Sequence, residues 1–352
     1  MLARMEFRVS RAEPRRDREM LLKLGGAGFF QAMVAGHELK LFEHLAANPG
    51  ASREAIAQGI GIPVASVRVL LLALCAMELV LRDEAGGYRN QDWVTGAFTG
   101  EGATFTTIVD AFHQLIYRPL FHLTESLRRG TNVGLEVFPG EGKTLYERLA
   151  AYPQLEAVFH RWMSNLSVQG LPPQVVETLG RASHVLDAGG GDGTNAVILA
   201  RAHPGLRVTV LDLPSVCERA RARVAAEGLG DRISAHPCDI QSDPYPYGAD
   251  AVLFSRIFNI YGEAQNQAFV QKSADVLPEG GQLVVIPAMV CDEDETGPLA
   301  AAYLTLYFAC LATGEGRVYP TSAYEAWFER AGFSMLDCAV DEYDNAVLVG
   351  WK

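Results

Sequence analysis

The stretch LLKLGGAGFFQAMVAGHELKLFEHLAA repeats apolar residues every three or four positions, the spacing of helices that each bury one face. Ser52 then stands as an N-cap ahead of REAIAQGIGI, and Gly59, Gly61 and Pro63 stop that helix. A further helix, ASVRVLLLALCAMELV, runs into LVLRDEAGGYRN, where two extended runs flank a glycine turn. Beyond LPPQVVETLGRAS the texture changes to short apolar runs alternating with helical ones: HVLDAG, TNAVILARAHP, LRVTVLDL, SVCERARARVAAEG, RISAHPCDI, ADAVLFSRI, NQAFVQKSADVLPEGG and QLVVIPAMV. That alternation predicts right-handed βαβ units and an α/β fold, a doubly wound Rossmann-like sheet whose ligand lies beyond the carboxyl ends of the strands. The chain then divides into a winged-helix-like part at 1–105, a helical connector at 106–170 and a sheet domain at 171–352.

Helix, turn, helix and hairpin is an arrangement that DNA-binding proteins use. Here the second helix offers only Arg68 among leucines, valines and alanines, whereas a recognition helix needs several polar or basic side chains for base edges and phosphates. The whole chain of 352 residues carries a formal net charge of -12, which repels a phosphate backbone. Packing or dimerisation is the expected use of that helix, with no nucleic-acid partner. Six scattered cysteines without a C-x-x-C pair predict reduced thiols in a cytoplasmic protein. The charged N-terminal stretch lacks a leader's apolar core, and the longest apolar run contains Arg68 and Glu78 and is too short to span a bilayer.

The chemistry concentrates in VLDAGGGDGTN. A strand ends at Asp187, and glycines at 189, 191 and 193 let the backbone turn tightly against a ligand before the next helix supplies its N-terminal N–H groups. The glycines run G-x-G-x-G, and position 194 is threonine, so the dinucleotide fingerprint is incomplete. The next strand ends in Asp212, a carboxylate suited to both hydroxyls of a ribose. The third ends in Asp239 and Ile240, an acceptor for an adenine amino group beside an aliphatic cover for the ring.

This arrangement resembles the class I S-adenosylmethionine-dependent methyltransferases. With its winged-helix-like half, it resembles the small-molecule O-methyltransferase family of the caffeate and hydroxyindole enzymes, from FFQAMVAGHELKLFEHL through VLDAGGGDG and VTVLDLP to FERAGF. The resemblance implies S-adenosyl-L-methionine as cofactor. Gly189 and Gly191 would hold its methionine part, with Asp187 in the same set, Asp212 and Leu213 its ribose, and Asp239 and Ile240 its adenine. Ser255 falls at a cofactor-facing family position. A homodimer acting on a small molecule is also implied, each subunit contributing to the other's pocket.

The family pattern breaks in FSRIFNIYGE. Where relatives carry a His-Asp-Trp triplet whose histidine deprotonates the acceptor hydroxyl, this chain has Asn259, Ile260 and Tyr261, and its last histidine is His236. The two glutamates that orient that base are replaced by Pro287 and Gly316, with Glu315 one residue away. Asn259 hydrogen-bonds but takes up no proton, so the expectation is a site that orients an acceptor and methylates carbon or nitrogen. Oxygen methylation through a substitute base is the alternative, with Asp110, His113 and His160 as candidates and His113, on the helix VDAFHQLIYRPL, the one chosen to face the pocket. Arg256 is a candidate partner for a substrate carboxylate or phenolate. By the resemblance Met163, with Trp162, and Tyr307, one helical turn from Tyr303, should line the substrate pocket. The acidic run at Asp292, Glu293, Asp294 and Glu295 lacks metal-site spacing and is expected to be a solvated loop. Two further readings are a relative that has given up methylation for another reaction, and a winged-helix transcriptional regulator.

Overall fold

Ser52 accepts a hydrogen bond from the Ala55 amide at 3.2 Å and opens the helix Arg53–Ile60, which Gly61 closes in a left-handed conformation at φ 71°. In the computed structural model, residues 15–100, 104–294, 296–340 and 346–352 are described. Glu295 of the acidic run and residues 1–14, where a leader was sought, lie outside them. The chain divides into two units, Met1–His113 and Gln114–Lys352, with the boundary inside the stretch expected to form the connector.

In the first unit the apolar helix Val64–Ala76 sends Val67, Leu70, Leu71 and Leu74 into a core with Phe42, Leu45 and Ile56. Its other side shows Val69 and Leu72 to solvent, 73% and 75% exposed. Strands β1 (Val80–Arg82) and β2 (Tyr88–Asn90) follow as the expected antiparallel hairpin.

The second unit is built on seven strands. β3 (His184–Ala188), β4 (Arg207–Asp212), β5 (Ile233–Pro237), β6 (Ala251–Ser255) and β7 (Gln282–Ile286) run parallel. The short strands β8 (Val290–Cys291) and β9 (Tyr319–Pro320) pair separately. β10 (Ser334–Val340) and β11 (Ala346–Trp351) form an antiparallel hairpin whose second strand runs antiparallel to β7, giving the order β10-β11-β7-β6-β3-β4-β5. Val185, Leu186, Val252, Leu253, Val284 and Val285 are fully buried, which is why these strands read as unbroken apolar runs. Each such side chain contributes roughly 1.5–3 kcal/mol of burial. The chain passes from β3 outward to β4 and β5, then returns to β6 and β7 on the other side of β3. The crevice at this reversal, between the ends of β3 and β6, is where such sheets bind ligands. Among the described residues, no single helix is long and apolar enough to cross a membrane.

Candidate active site

The loop after β3 forms the floor of the site. Gly189 (φ 71°) and Gly191 (φ 59°) are left-handed, a conformation that costs most side chains energy. At Gly189 a Cβ would lie 2.5 Å from the end of the Ile257 side chain that follows β6, which would have to move aside where the two strand ends meet. Around Gly191 a Cβ would meet nothing within 4 Å. Its N–H donates to Asp212 Oδ2 at 2.9 Å, while Asp212 Oδ1 accepts from the Leu213 amide at 2.8 Å. Burial pushes the Asp212 carboxyl up to about 6, in spite of those two donors.

Asp187 sits beneath this loop, its carboxyl carbon 2.6 Å from where a Gly190 Cβ would stand. It has no exposed surface, and neither oxygen accepts a hydrogen bond. Burial, with the charges of Asp212 and Asp192 added, pushes this carboxyl up to about 7.

The strand ends and loops surround a cleft of about 1150 Å³, counted with the part that is open to solvent. Gly189, Gly191, Asp212, Leu213, Asp239, Ile240 and Ser255 all line it, and Asp187 lies behind the lining. Asp239 also ties its own turn, accepting from the Gln241 amide at 2.9 Å and from Ser242 Oγ at 2.9 Å. Arg256 lines the cleft from a left-handed backbone at φ 60°, and its burial lowers the guanidinium to about 10, still charged at neutral pH.

The opposite wall is the helix Pro153–Gly170. Residues 156, 159, 160, 163 and 164 follow the i, i+3, i+4 spacing of one helix face, and all five line the cleft. Glu156 pairs with Arg219 on the helix Pro214–Ala226. Ser164 donates to Asp192 Oδ2 at 2.6 Å, and Arg223 reaches both Ser164 Oγ (3.0 Å) and Asp192 (2.8 Å). Burial works against the Asp192 charge, but the Ser164 and Thr194 hydroxyls and Arg223 outweigh it and hold that carboxyl below the usual range. The helix is thus fastened to the glycine loop at one end of its face and to the neighbouring helix at the other. Met163 lines the cleft as expected.

Four expectations are corrected. Asn259 does not face the cleft. It is fully buried, its Nδ2 donating to Met289 O and Arg317 O at 3.2 Å each and its Oδ1 accepting from the Ala288 amide at 2.6 Å. Gly316 packs so closely behind it that a Cβ would lie 2.4 Å from Asn259 O and 2.3 Å from Ile260 O. The Asn259 side chain therefore ties Ala288, Met289 and Arg317 into one closed knot of hydrogen bonds, with Gly316 packed against its backbone. His113 belongs to the first unit, where its Nδ1 stands 3.3 Å from Gln31 Nε2. Trp162 turns away from the cleft and packs edge-on against Phe159 and Tyr307, at 6.2 and 6.3 Å. Tyr307 is buried with its hydroxyl 3.3 Å from that of Tyr146, and only Tyr146 reaches the lining. Tyr303, one turn earlier, does not line the cleft either.

Two other candidates resolve simply. Asp110 lies 3.5 Å from His37 within the first unit. In the acidic run, Asp292 accepts from the Thr296 amide at 2.8 Å and Glu293 from Ser322 Oγ at 2.6 Å. Tyr146, Glu156, Phe159, Ser164 and Asp192 escaped the sequence reading. For the helix members the signal was available in their spacing.

Residues 121–334 match an O-methyltransferase domain, and residues 23–93 match an O-methyltransferase dimerisation domain. The chain is 35% identical over 315 residues to the L-tyrosine C(3)-methyltransferase of Streptomyces lavendulae, covering 88% of this chain and 85% of that protein. It is 33% identical over 308 residues to the 3-hydroxy-5-methyl-1-naphthoate 3-O-methyltransferase of Streptomyces sahachiroi, covering 86% of each. The apo crystal structure of the S-adenosylmethionine-dependent methyltransferase SibL is similar at a TM-score of 0.79 and 37% identity, over 95% of this chain and 98% of that one. An enzyme domain over most of the chain sets the transcriptional-regulator reading aside. The chain belongs to the S-adenosylmethionine-dependent O-methyltransferase family, as a small-molecule methyltransferase with an N-terminal dimerisation domain.

Proposed function

We propose that this enzyme transfers a methyl group from S-adenosylmethionine to carbon or nitrogen of a small aromatic acceptor, with a ring carbon of a hydroxylated aromatic as first choice. The observation that carries the proposal is the knot around Asn259. At the position of the family's base stands an amide that takes up no proton and is spent on three backbone groups. The family's supporting glutamates are likewise replaced, by Pro287 and by a glycine with no room for a side chain. The likeness to an L-tyrosine C(3)-methyltransferase supports carbon as the acceptor atom.

The cleft fits the cofactor. Asp187, buried without a hydrogen bond, suits a donor or cation such as the cofactor's ammonium group. Gly191 leaves open space for close backbone approach, Asp212 and Leu213 would hold the ribose, and Asp239 and Ile240 the adenine, with Ser255 facing the cofactor. When bound, the cofactor supplies an electrophilic methyl group on a positively charged sulfur. The first part of the chain's own contribution is positional. Met163, Phe159, Tyr146 and Tyr261 wall off an aromatic acceptor, and Arg256 would attract an anionic group on it. Holding the acceptor in line with the methyl group supplies much of the rate enhancement.

A homodimer is part of the proposal, supported by the dimerisation-domain match and by the apolar face at Val69 and Leu72. So are the division at residues 105 and 170 and a cytoplasmic setting, the latter supported by Cys217, Cys238 and Cys310 carrying no disulfide. The test is release of S-adenosylhomocysteine with paired acceptors: a free phenol, the same phenol blocked at both ortho carbons, and its methyl ether. Turnover of the free phenol and none of the ortho-blocked one is expected. Equal turnover of the free and blocked phenols would overturn carbon methylation, and no turnover of any aromatic would favour a non-methylating reaction.

A further inference from the structure

Within the row 156–160–164 on the helix face, the two outer residues have their partners inside the protein, Glu156 on Arg219 and Ser164 on Asp192 and Arg223. His160, between them, lines the same cleft, yet neither of its ring nitrogens hydrogen-bonds to a described residue or is sealed from accessible space. Its only described ring contact is the edge of Phe159, at 5.6 Å. An imidazole that lines the pocket with the Phe159 ring against it and its nitrogens open is placed to exchange a proton with whatever binds there.

We propose that His160 is the proton acceptor for the acceptor's hydroxyl, moving to the helix wall the task that relatives give to the strand edge. The inference rests on the hydroxylated-aromatic reading above. His160 takes the O–H proton and leaves an electron-rich phenolate. The ortho carbon of that phenolate donates its electron pair, so that a C–CH3 bond forms as the S–CH3 bond breaks and the sulfur becomes a neutral thioether. The ring carbon then loses its proton, the oxygen regains one, and one proton per turnover passes from the imidazolium to solvent. Burial, reinforced by the Arg219 charge and opposed by Glu156 and Asp192, lowers the imidazole from its ordinary value. It is therefore neutral and ready to accept at neutral pH.

The test uses the full chain and His160→Gln, a hydrogen-bonding replacement that takes up no proton, with His160→Asn carrying the same test should the first variant not fold. At saturating cofactor and phenol, wild-type kcat should rise through an acid limb below pH 6.5, and His160→Gln should lower kcat about 100-fold and abolish that limb. Without cofactor, the absorbance of a bound nitrophenol should show more phenolate with wild type than with the variant at the same pH. Cofactor Kd by calorimetry should change less than about twofold. An unchanged kcat and acid limb, equal ionisation of the bound nitrophenol, or a Kd that rises in step with the loss of kcat would each overturn the inference, the last by making His160 a cofactor ligand. If the wild-type enzyme methylates no hydroxylated aromatic, the substrate reading fails first and this inference falls with it. An active wild type with an indifferent variant sinks the inference alone.

Discussion

The loops at the ends of β3, β4 and β5 and the helix Pro153–Gly170 face each other across one cleft, but they owe their residues to different physics. On the loop side each functional group stands where its own strand stops, so position in sequence fixes position in space. Asp212 is the last residue of β4, and the glycines follow β3 directly. On the helix side, spacing defines a face but does not say where the face points. Its orientation comes from the Glu156–Arg219 pair and from Asp192, partners far away along the chain. Cofactor recognition is thus local in this chain, and acceptor chemistry is an outcome of packing.

The largest expected effect sharpens the loop side. Asp212→Ala removes the acceptor that holds the Gly191 amide and would hold the ribose. Cofactor Kd should rise about 100-fold, or about 2.7 kcal/mol, by calorimetry, the scale of losing hydrogen bonds to a charged group. His160→Gln should leave Kd almost unmoved. Equal losses from the two variants would erase the distinction between the walls.

Next comes the knot. Asn259→Ala leaves the Ala288 amide and two carbonyls without their partner in a buried site, and should cost about 2 kcal/mol in denaturant unfolding. Asn259→His should be destabilised as well and should gain no oxygen methylation, because position 259 does not face the cleft. Efficient phenol O-methylation by that variant would put the reacting edge back on the strand side.

A smaller effect concerns Asp187. Its pKa is raised above its unfolded value, so its contribution to stability is greatest below the ordinary carboxylate range and is lost as pH rises through about 7. Without cofactor, Asp187→Asn should therefore melt higher than wild type at pH 8, with the gain shrinking towards pH 5. Cofactor binding, which favours the ionised carboxylate, should weaken in wild type as pH falls from 8 to 6, by up to about tenfold per unit, and the Asn variant should be flat over that range. A wild-type affinity independent of pH would mean that Asp187 does not meet the cofactor's charge.

The same contrast explains what could be read in advance. The Ser52 cap, the Gly61 stop, the glycine loop and the paired ends Asp212 and Asp239–Ile240 are each decided by a few neighbouring residues. The destination of Asn259 is not, since it depends on Ala288, Met289 and Arg317, brought together only by the folded sheet. Tyr307 faces Tyr146 across 161 positions of sequence. His160 was visible as one of three candidate bases, but the sequence put His113, which lies in the other unit, ahead of it.

The central claim concerns the atom that receives the methyl group. Turnover with methyl-carbon-13 cofactor and a hydroxylated aromatic acceptor, followed by two-dimensional proton–carbon NMR of the purified product, locates it directly. The account predicts a methyl carbon correlated to the ring carbon beside the hydroxyl, with that hydroxyl still free. A methyl resonance in the methoxy region, correlated through oxygen, would contradict it.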